Sequence, residues 1–405
     1  MLTYLFGSEK ACRVPATLLF ATALVLRFGL IFSQKLEPMT PGGADYRAIA
    51  TSLAEGHSFT LNGNPEISRA PLFPLFASVF LHFSPKIEPV LLAQAVLDSL
   101  TSVWIFLLSL LLMPTAGAFF SGLLYAIHPV YIGYTGYFLS ETLFFNLWFM
   151  SLAAMMRSLR LSCTRSAMVS GALLGAAVLA RPAHIFYPVA AAPIFLAAGP
   201  WKRQMFRWIL FCFCFAAILM PWIIRNKLIS NRFILVSTMA GHSWWMGSLT
   251  KYPSYEDSLA ARPKADFSSP EADAYFKRLT VENWRRQPAR LLAQFPYRLF
   301  RFWVTSHSSV VGIERPNSVY LSEGHWGILA IKSLMLALQI GILAVGFWGA
   351  WRLRSRWREW LALAMPILYV SLHITNDWGV PRYHLSALPL FWVLGIWALS
   401  AQTER

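Results

Sequence analysis

The sequence is poor in charge. Only 13% of its 405 residues are Asp, Glu, Lys or Arg, about half the share of an ordinary soluble domain. So little charge cannot solvate the surface of a water-borne protein, which excludes a cytosolic enzyme and a disordered regulator. Acid is scarcer than base: 19 Asp and Glu stand against 35 Lys and Arg, a formal charge of +16. On a membrane protein, Lys and Arg flank spanning helices and meet lipid phosphates, so the excess calls for no nucleic acid. Cysteine is nearly missing. Cys12, Cys163, Cys212 and Cys214 build no disulfide framework, and the last two alternate in an apolar run that reads as packing. Nine histidines show no ligand spacing such as HExxH, so no metal and no cofactor is expected. A P-loop and a dinucleotide fingerprint are both lacking, which argues against nucleotide hydrolysis. Repeats and low-complexity tracts are absent too.

What is abundant is apolar: 56% of the residues are hydrophobic. About ten runs approach the roughly 20 residues that cross a bilayer core. They lie near 14–34, 88–113, 115–135, 141–157, 165–181, 183–199, 206–224, 327–351, 359–376 and 384–400. The first has no small-residue cleavage site after it and is expected to remain as an anchor. Pro71 to Phe83 is too short to span and predicts an interfacial or re-entrant helix. Cations in short loops orient the chain. Lys10 and Arg13, Arg157 to Arg165, Lys202 to Arg207, and Arg352 to Arg358 all fall on one side if the spans alternate. That places both termini in the cytoplasm, and the protein in the cytoplasmic (inner) membrane. Three parts follow: a membrane module over 1–224 whose first outer loop is 35–70, an outer (periplasmic) loop subdomain over 225–326, and C-terminal spans over 327–405. In the subdomain, Ser269 as N-cap with Pro270 and Glu271 opens a helix to about Gln287. Pro288 starts another, its arginines interleaved with apolar residues as suits the membrane interface.

Candidate chemistry lies at the outer boundaries. A helical run starts at about Asp45, with Ile49, Ala50 and Leu53 at helical spacing. On the residues alone, Asp45 is foremost an N-cap just outside the bilayer. Glu37, Glu55 and Glu66 are also available. Arg69 precedes the interfacial helix, and Arg181-Pro182, Arg225-Asn226 and Arg382-Tyr383 sit at three further outer turns. Each reads singly as an interfacial anchor; together they could line one anion site. Within spans lie Arg27, Asp98, His128 and Glu141. Intramembrane ionisable groups are functional candidates by default, though Arg27 and Glu141 are near outer ends, where snorkelling or capping explains them.

Taken in order, Gly43-Ala-Asp45-Tyr46, Arg69-Ala-Pro71-Leu-Phe-Pro74, Ser140-Glu141-Thr-Leu, Ala180-Arg181-Pro182, Pro221-Trp222-Ile-Ile-Arg225-Asn226 and Arg382-Tyr383 resemble the GT-C glycosyltransferases. These enzymes use polyprenyl-phosphate-linked sugars. The bacterial branch related to protein mannosyltransferases and to lipid A aminoarabinose transferases is the most similar. The resemblance implies an all-α integral membrane protein, a GT-C-like bundle of about 10–12 transmembrane helices with outer juxtamembrane helices and one larger outer loop subdomain. It implies Asp45 as general base in an inverting transfer to an acceptor hydroxyl of a glycan, lipid or protein. Arg382, Arg181, Arg69 and Arg225 would bind the donor phosphate, and Tyr46, Glu141, Tyr383, Asn226, Trp244 and Trp245 would touch substrate. Tyr252 and Tyr255 would add to that aromatic face. Many relatives show a second acid directly after the aspartate; Tyr46 stands there instead, and no metal role carries over. A transporter or flippase for a lipid-linked or anionic solute is the alternative, and predicts repeats or paired broken helices.

Overall fold

The computed structural model describes residues 9–33, 41–250, 269–376 and 380–401. Glu37, Tyr252, Tyr255 and Asp377 therefore lie outside the described residues. The chain is an all-helical membrane protein, and each expected span coincides with helix. In order these are α1 (Glu9–Ser33), α2 (Pro41–Ala54), α3 (Leu72–Leu81), α4 (Glu88–Leu110), α5 (Thr115–Ile127), α6 (Pro129–Thr135), α7 (Glu141–Leu161), α8 (Thr164–Ala180), α9 (Tyr187–Ala197) and α10 (Trp201–Ser230). The segment after α10 supplies α11 (Ala240–Gly247), α12 (Pro270–Arg286), α13 (Pro288–Ala293), α14 (Phe295–Trp303) and α15 (Asn317–Ser322). The last membrane helices are α16 (Trp326–Arg352), α17 (Trp357–Ser371) and α18 (Leu388–Ser400). Among the described residues, five helices are long and apolar enough to cross a bilayer by themselves: α4, α7, α10, α16 and the part of α1 from Cys12.

The structure refines the expected boundaries at several places. The run 115–135 is not one straight span: α5 and α6 meet at a 52° bend. Pro129 cannot continue the ladder of α5, and His128, extended, accepts a hydrogen bond from the Val130 amide at 3.3 Å to start the next helix. The division at residue 224 falls inside α10, which continues to Ser230. Ser269 does cap α12, its hydroxyl accepting from the Ala272 amide at 3.1 Å. A two-stranded hairpin, Thr60–Leu61 with Asn64–Pro65, interrupts the helices. Its turn residues Asn62 and Gly63 have φ of 52° and 81°, the left-handed pair that a tight hairpin requires.

Close packing of small residues brings the membrane helices together. A Cβ on Gly171 of α8 would lie 2.0 Å from the Phe211 carbonyl oxygen of α10, and one on Gly175 would lie 2.9 Å from that of Phe215. This spacing of two small residues four apart lets backbones touch where no water-driven force joins helices. Arg27 does not snorkel. It is fully buried and donates to Asp98 at 2.6 Å and to the Ala126 carbonyl at 2.8 Å, while the Tyr125 hydroxyl donates to the other Asp98 oxygen at 2.6 Å. The triad joins α1, α4 and α5. In a low-dielectric interior such a closed network is a brace, since every charge has its counterpart.

Candidate active site

The site is assembled at the end of the bundle where α7 begins. Asp45 lies in α2, but not as its cap: the helix starts four residues earlier, at Pro41, whose fixed φ suits a first turn. The carboxylate therefore projects from the second turn, where it forms an ion pair with Arg69. Both groups keep partial access, at 37% and 25% side-chain exposure. The Arg69 guanidinium also lies 5.6 Å from the centre of the Tyr46 ring, and Tyr46 packs edge-on against Phe73 of α3. Arg69 Nε is buried without a hydrogen-bond partner, a donor left open beside Asp45.

The loop carrying Arg69 is strapped down from the far side. Ser237 Oγ donates to the Ser68 carbonyl at 2.6 Å, and the Thr238 amide donates to that of Ile67 at 3.2 Å. Arg225 spreads its fork over two backbone carbonyls, Glu66 at 2.5 Å and Phe59 at 3.0 Å, with its plane 4.5 Å from the Trp222 ring centre. Asn226 is fully buried and faces the carbonyls of Ile234 and Val236. The geometry thus commits Arg225 and Asn226 to holding the loop, not to the open face.

Beside this lies a second charge cluster. Glu141, 2% exposed at the first position of α7, forms an ion pair with Arg181 at 2.6 Å and faces Arg382 at 3.9 Å. Arg181 is 5.1 Å from the Tyr383 ring centre and within electrostatic reach of Tyr46 and Tyr134. Two guanidiniums around one carboxylate leave one positive charge uncompensated. Arg382 has 45% of its side chain exposed, so that charge faces outward. Its segment is held by the bundle: Tyr131 and Trp148 donate to the carbonyls of Leu385 and Ser386 at 2.7 and 2.8 Å. His384 is stacked on Trp303 and meets His307 Nε2 at 2.8 Å.

Asp45, Arg69 and Tyr46 thus form one cluster and Glu141, Arg181, Arg382 and Tyr383 a second, and Tyr46 connects them by lying within electrostatic reach of Arg181. Trp245 does not join them: it is 5% exposed and packs on Phe276 of α12. Trp244 lies under Lys277 instead, 5.6 Å from its Nζ. Tyr134, near both arginines, and His373, stacked on Tyr383 at 4.8 Å, belong to the site and carried no sequence motif. Among the described residues no group of His, Cys, Asp or Glu could hold a metal ion.

The family model of dolichyl-phosphate-mannose-protein mannosyltransferases matches residues 68–224, from Arg69's loop to α10. No curated protein sequence matches the chain. Among solved structures, the archaeal oligosaccharyltransferase AglB from Archaeoglobus fulgidus, in complex with an inhibitory peptide and a dolichol-phosphate, is similar over 98% of this chain and 51% of its own, at 15% identity and a TM-score of 0.59. Its apo form gives 13% identity over the same shares, again with a TM-score of 0.59. ArnT from Cupriavidus metallidurans bound to undecaprenyl phosphate is 15% identical over 96% of this chain and 78% of its own, with a TM-score of 0.49. The chain spans about half the length of the oligosaccharyltransferase it matches. The likeness to the oligosaccharyltransferase shows a shared fold: the chain has an all-helical, multi-pass membrane architecture, of which residues 68–224 also match the family model.

Proposed function

We propose that the protein is an inverting glycosyltransferase that moves a sugar from a polyprenyl-phosphate donor to an acceptor hydroxyl. The observation that carries this reading is a partly exposed carboxylate, Asp45, paired with Arg69 beside Tyr46, which itself lies within electrostatic reach of an arginine pair that has charge to spare. The leaving group of such a donor is a lipid phosphate. Arg382, with Arg181 behind it, stabilises the charge that gathers on the phosphate as the anomeric bond breaks. Asp45 takes the acceptor proton as the oxygen attacks from the opposite face. The archaeal oligosaccharyltransferase is in complex with a dolichol-phosphate and an inhibitory peptide; for this chain a lipid-phosphate donor and its acceptor are part of the proposal. An open cleft of about 960 Å³ runs along α2 from Ala44, the residue before Asp45, and is lined by Arg47, Thr51, Ser52, Glu55 and Asn62. Its mixed donors and acceptors suit a hydroxyl-rich acceptor, a cell-envelope glycan or glycolipid ahead of an apolar one.

The test is sugar transfer from purified polyprenyl-phosphate donors in nanodiscs. Asp45→Asn should abolish most turnover while the lipid donor still binds; full activity in that variant would end the reading. The reaction is placed at the outer face of the cytoplasmic membrane. In a background lacking the native cysteines, cysteines replacing Ser322 and Ser355, at opposite ends of α16 and about 40 Å apart along its axis, should label from opposite sides, Ser322 from outside. Labelling of both from one side would overturn the orientation.

A further inference from the structure

At the far end of α7 from Glu141, a cavity of about 430 Å³ opens between the last turn of α7, the end of α9 and the first turn of α17. Arg160 lies 19 residues beyond Glu141 on the same helix, so the two ends are about 28 Å apart. The floor is apolar, formed by Met156, Leu159, Ile194 and Ala362. The rim is cationic. Arg160 reaches a Glu359 oxygen at 2.8 Å, and Arg356 forks onto the same carboxylate at 2.8 and 2.7 Å. Arg358 also lines the opening, its guanidinium 5.5 Å from the ring centre of Trp357. Of the groups that line the mouth, Arg160 and Arg358 stand against Glu359, a net positive charge, and the first-turn amides of α17 add a partial one.

An arginine that only orients a membrane protein needs to sit on the correct side. It does not need to rim a cavity with an apolar floor. We propose that this cavity binds the phosphate headgroup of an anionic membrane lipid. The phosphodiester oxygens would accept from the forks of Arg160 and Arg358, and the glycerol and upper acyl carbons would cover Met156 and Leu159. The net positive mouth suits a headgroup of net negative charge better than a zwitterionic one, and the apolar floor gives a lipid contacts that inorganic phosphate lacks. Glu359 is the internal competitor, holding two of the arginines when the lipid is absent.

The test is thermal unfolding of the full chain in detergent, titrated separately with phosphatidylglycerol, phosphatidylcholine and inorganic phosphate. Phosphatidylglycerol should stabilise the protein at low concentration, the other two little. Arg160→Gln with Arg358→Gln should weaken the phosphatidylglycerol response at least about tenfold, as expected for losing charge-assisted hydrogen bonds, with melting in phosphatidylcholine unchanged. Glu359→Gln should act oppositely and tighten the response by releasing its arginines. A double variant that titrates like the wild type would overturn the proposal. So would a Glu359→Gln protein with a weakened response, or equal stabilisation by phosphatidylcholine or inorganic phosphate. If the double variant fails to fold, the Glu359→Gln titration decides.

Discussion

Two arginine–aspartate pairs in this protein have the same chemistry and opposite settings. Arg27 and Asp98 lie in the bundle interior, 0% and 2% exposed at the side chain. The Tyr125 hydroxyl and the Ala126 carbonyl add hydrogen bonds, and one amino nitrogen of Arg27 is buried without a partner. Asp45 and Arg69 lie at the end of the bundle, where both keep access to solvent and Arg69 Nε has no partner. The first pair is sealed from solvent, so it can only hold helices. The second keeps partial access, so it can accept a proton or a ligand. Residue type does not separate a brace from a reactive site; access does.

The largest effect should come from removing the proton-accepting ability of the open pair. Asp45→Asn is expected to lower turnover by roughly 10²–10⁴-fold, the usual contribution of a positioned base. Asp98→Asn, the equivalent change in the closed pair, should act on folding. It leaves the Arg27 charge buried with a neutral partner, and breaking a buried pair costs about 3–5 kcal/mol. Replacing both members, Arg27→Met with Asp98→Leu, should recover much of that loss, because well-packed apolar residues often substitute for a buried pair. Thermal unfolding in a fixed detergent reads both. If Asp98→Asn melted like the wild type, the triad would not be a brace.

Arg382 tests the arginine cluster in the same terms. Arg382→Ala should weaken donor affinity by about tenfold or more, the value of one charge-assisted contact. Arg382→Lys should recover only part, since an ammonium cannot pair two phosphate oxygens in a plane. Equal affinity in all three proteins would move phosphate recognition to Arg181 and Arg69.

Much of this was legible in sequence where the signal is local. Long apolar runs give the helices, and Ser269 with Pro270 gives the start of α12; the break at Pro129 is passed over, since 115–135 reads as one apolar run. The Asn62-Gly63 pair signals the hairpin, although a helical reading of the chain passes over it. Family order picked out Asp45, Glu141, Arg181 and Arg382 without their geometry. What sequence cannot show is partnership across distance. Arg225 and Arg382 look alike at two outer turns, yet one is spent on the carbonyls of Phe59 and Glu66 and the other faces outward. Arg298 reads as an interfacial cation, but it is buried and donates to the Gly247 and Ile374 carbonyls at 2.5 and 3.3 Å, latching the segment after α10 to the bundle. Burial pulls its pKa down to about 10, so it remains charged at neutral pH. Trp244 and Trp245 are neighbours in sequence, but Trp245 faces the interior of that segment.

The smallest expected effect sharpens the comparison most. The Asp45–Arg69 pair is partly solvated, and exposed ion pairs contribute about 0–1 kcal/mol. Asp45 also sits past the first turn of α2, so it satisfies no orphan amide at the helix start, and Asn at that position loses no cap. Asp45→Asn should therefore shift the melting temperature by no more than about 2–4 °C, the equivalent of roughly 1 kcal/mol. The same substitution is expected to cost the reaction most of its rate. A large loss of stability would mean that the Asp45–Arg69 pair is a second brace. The fall in turnover would then follow from a loosened loop at Arg69, and the assignment of Asp45 as the base would fail.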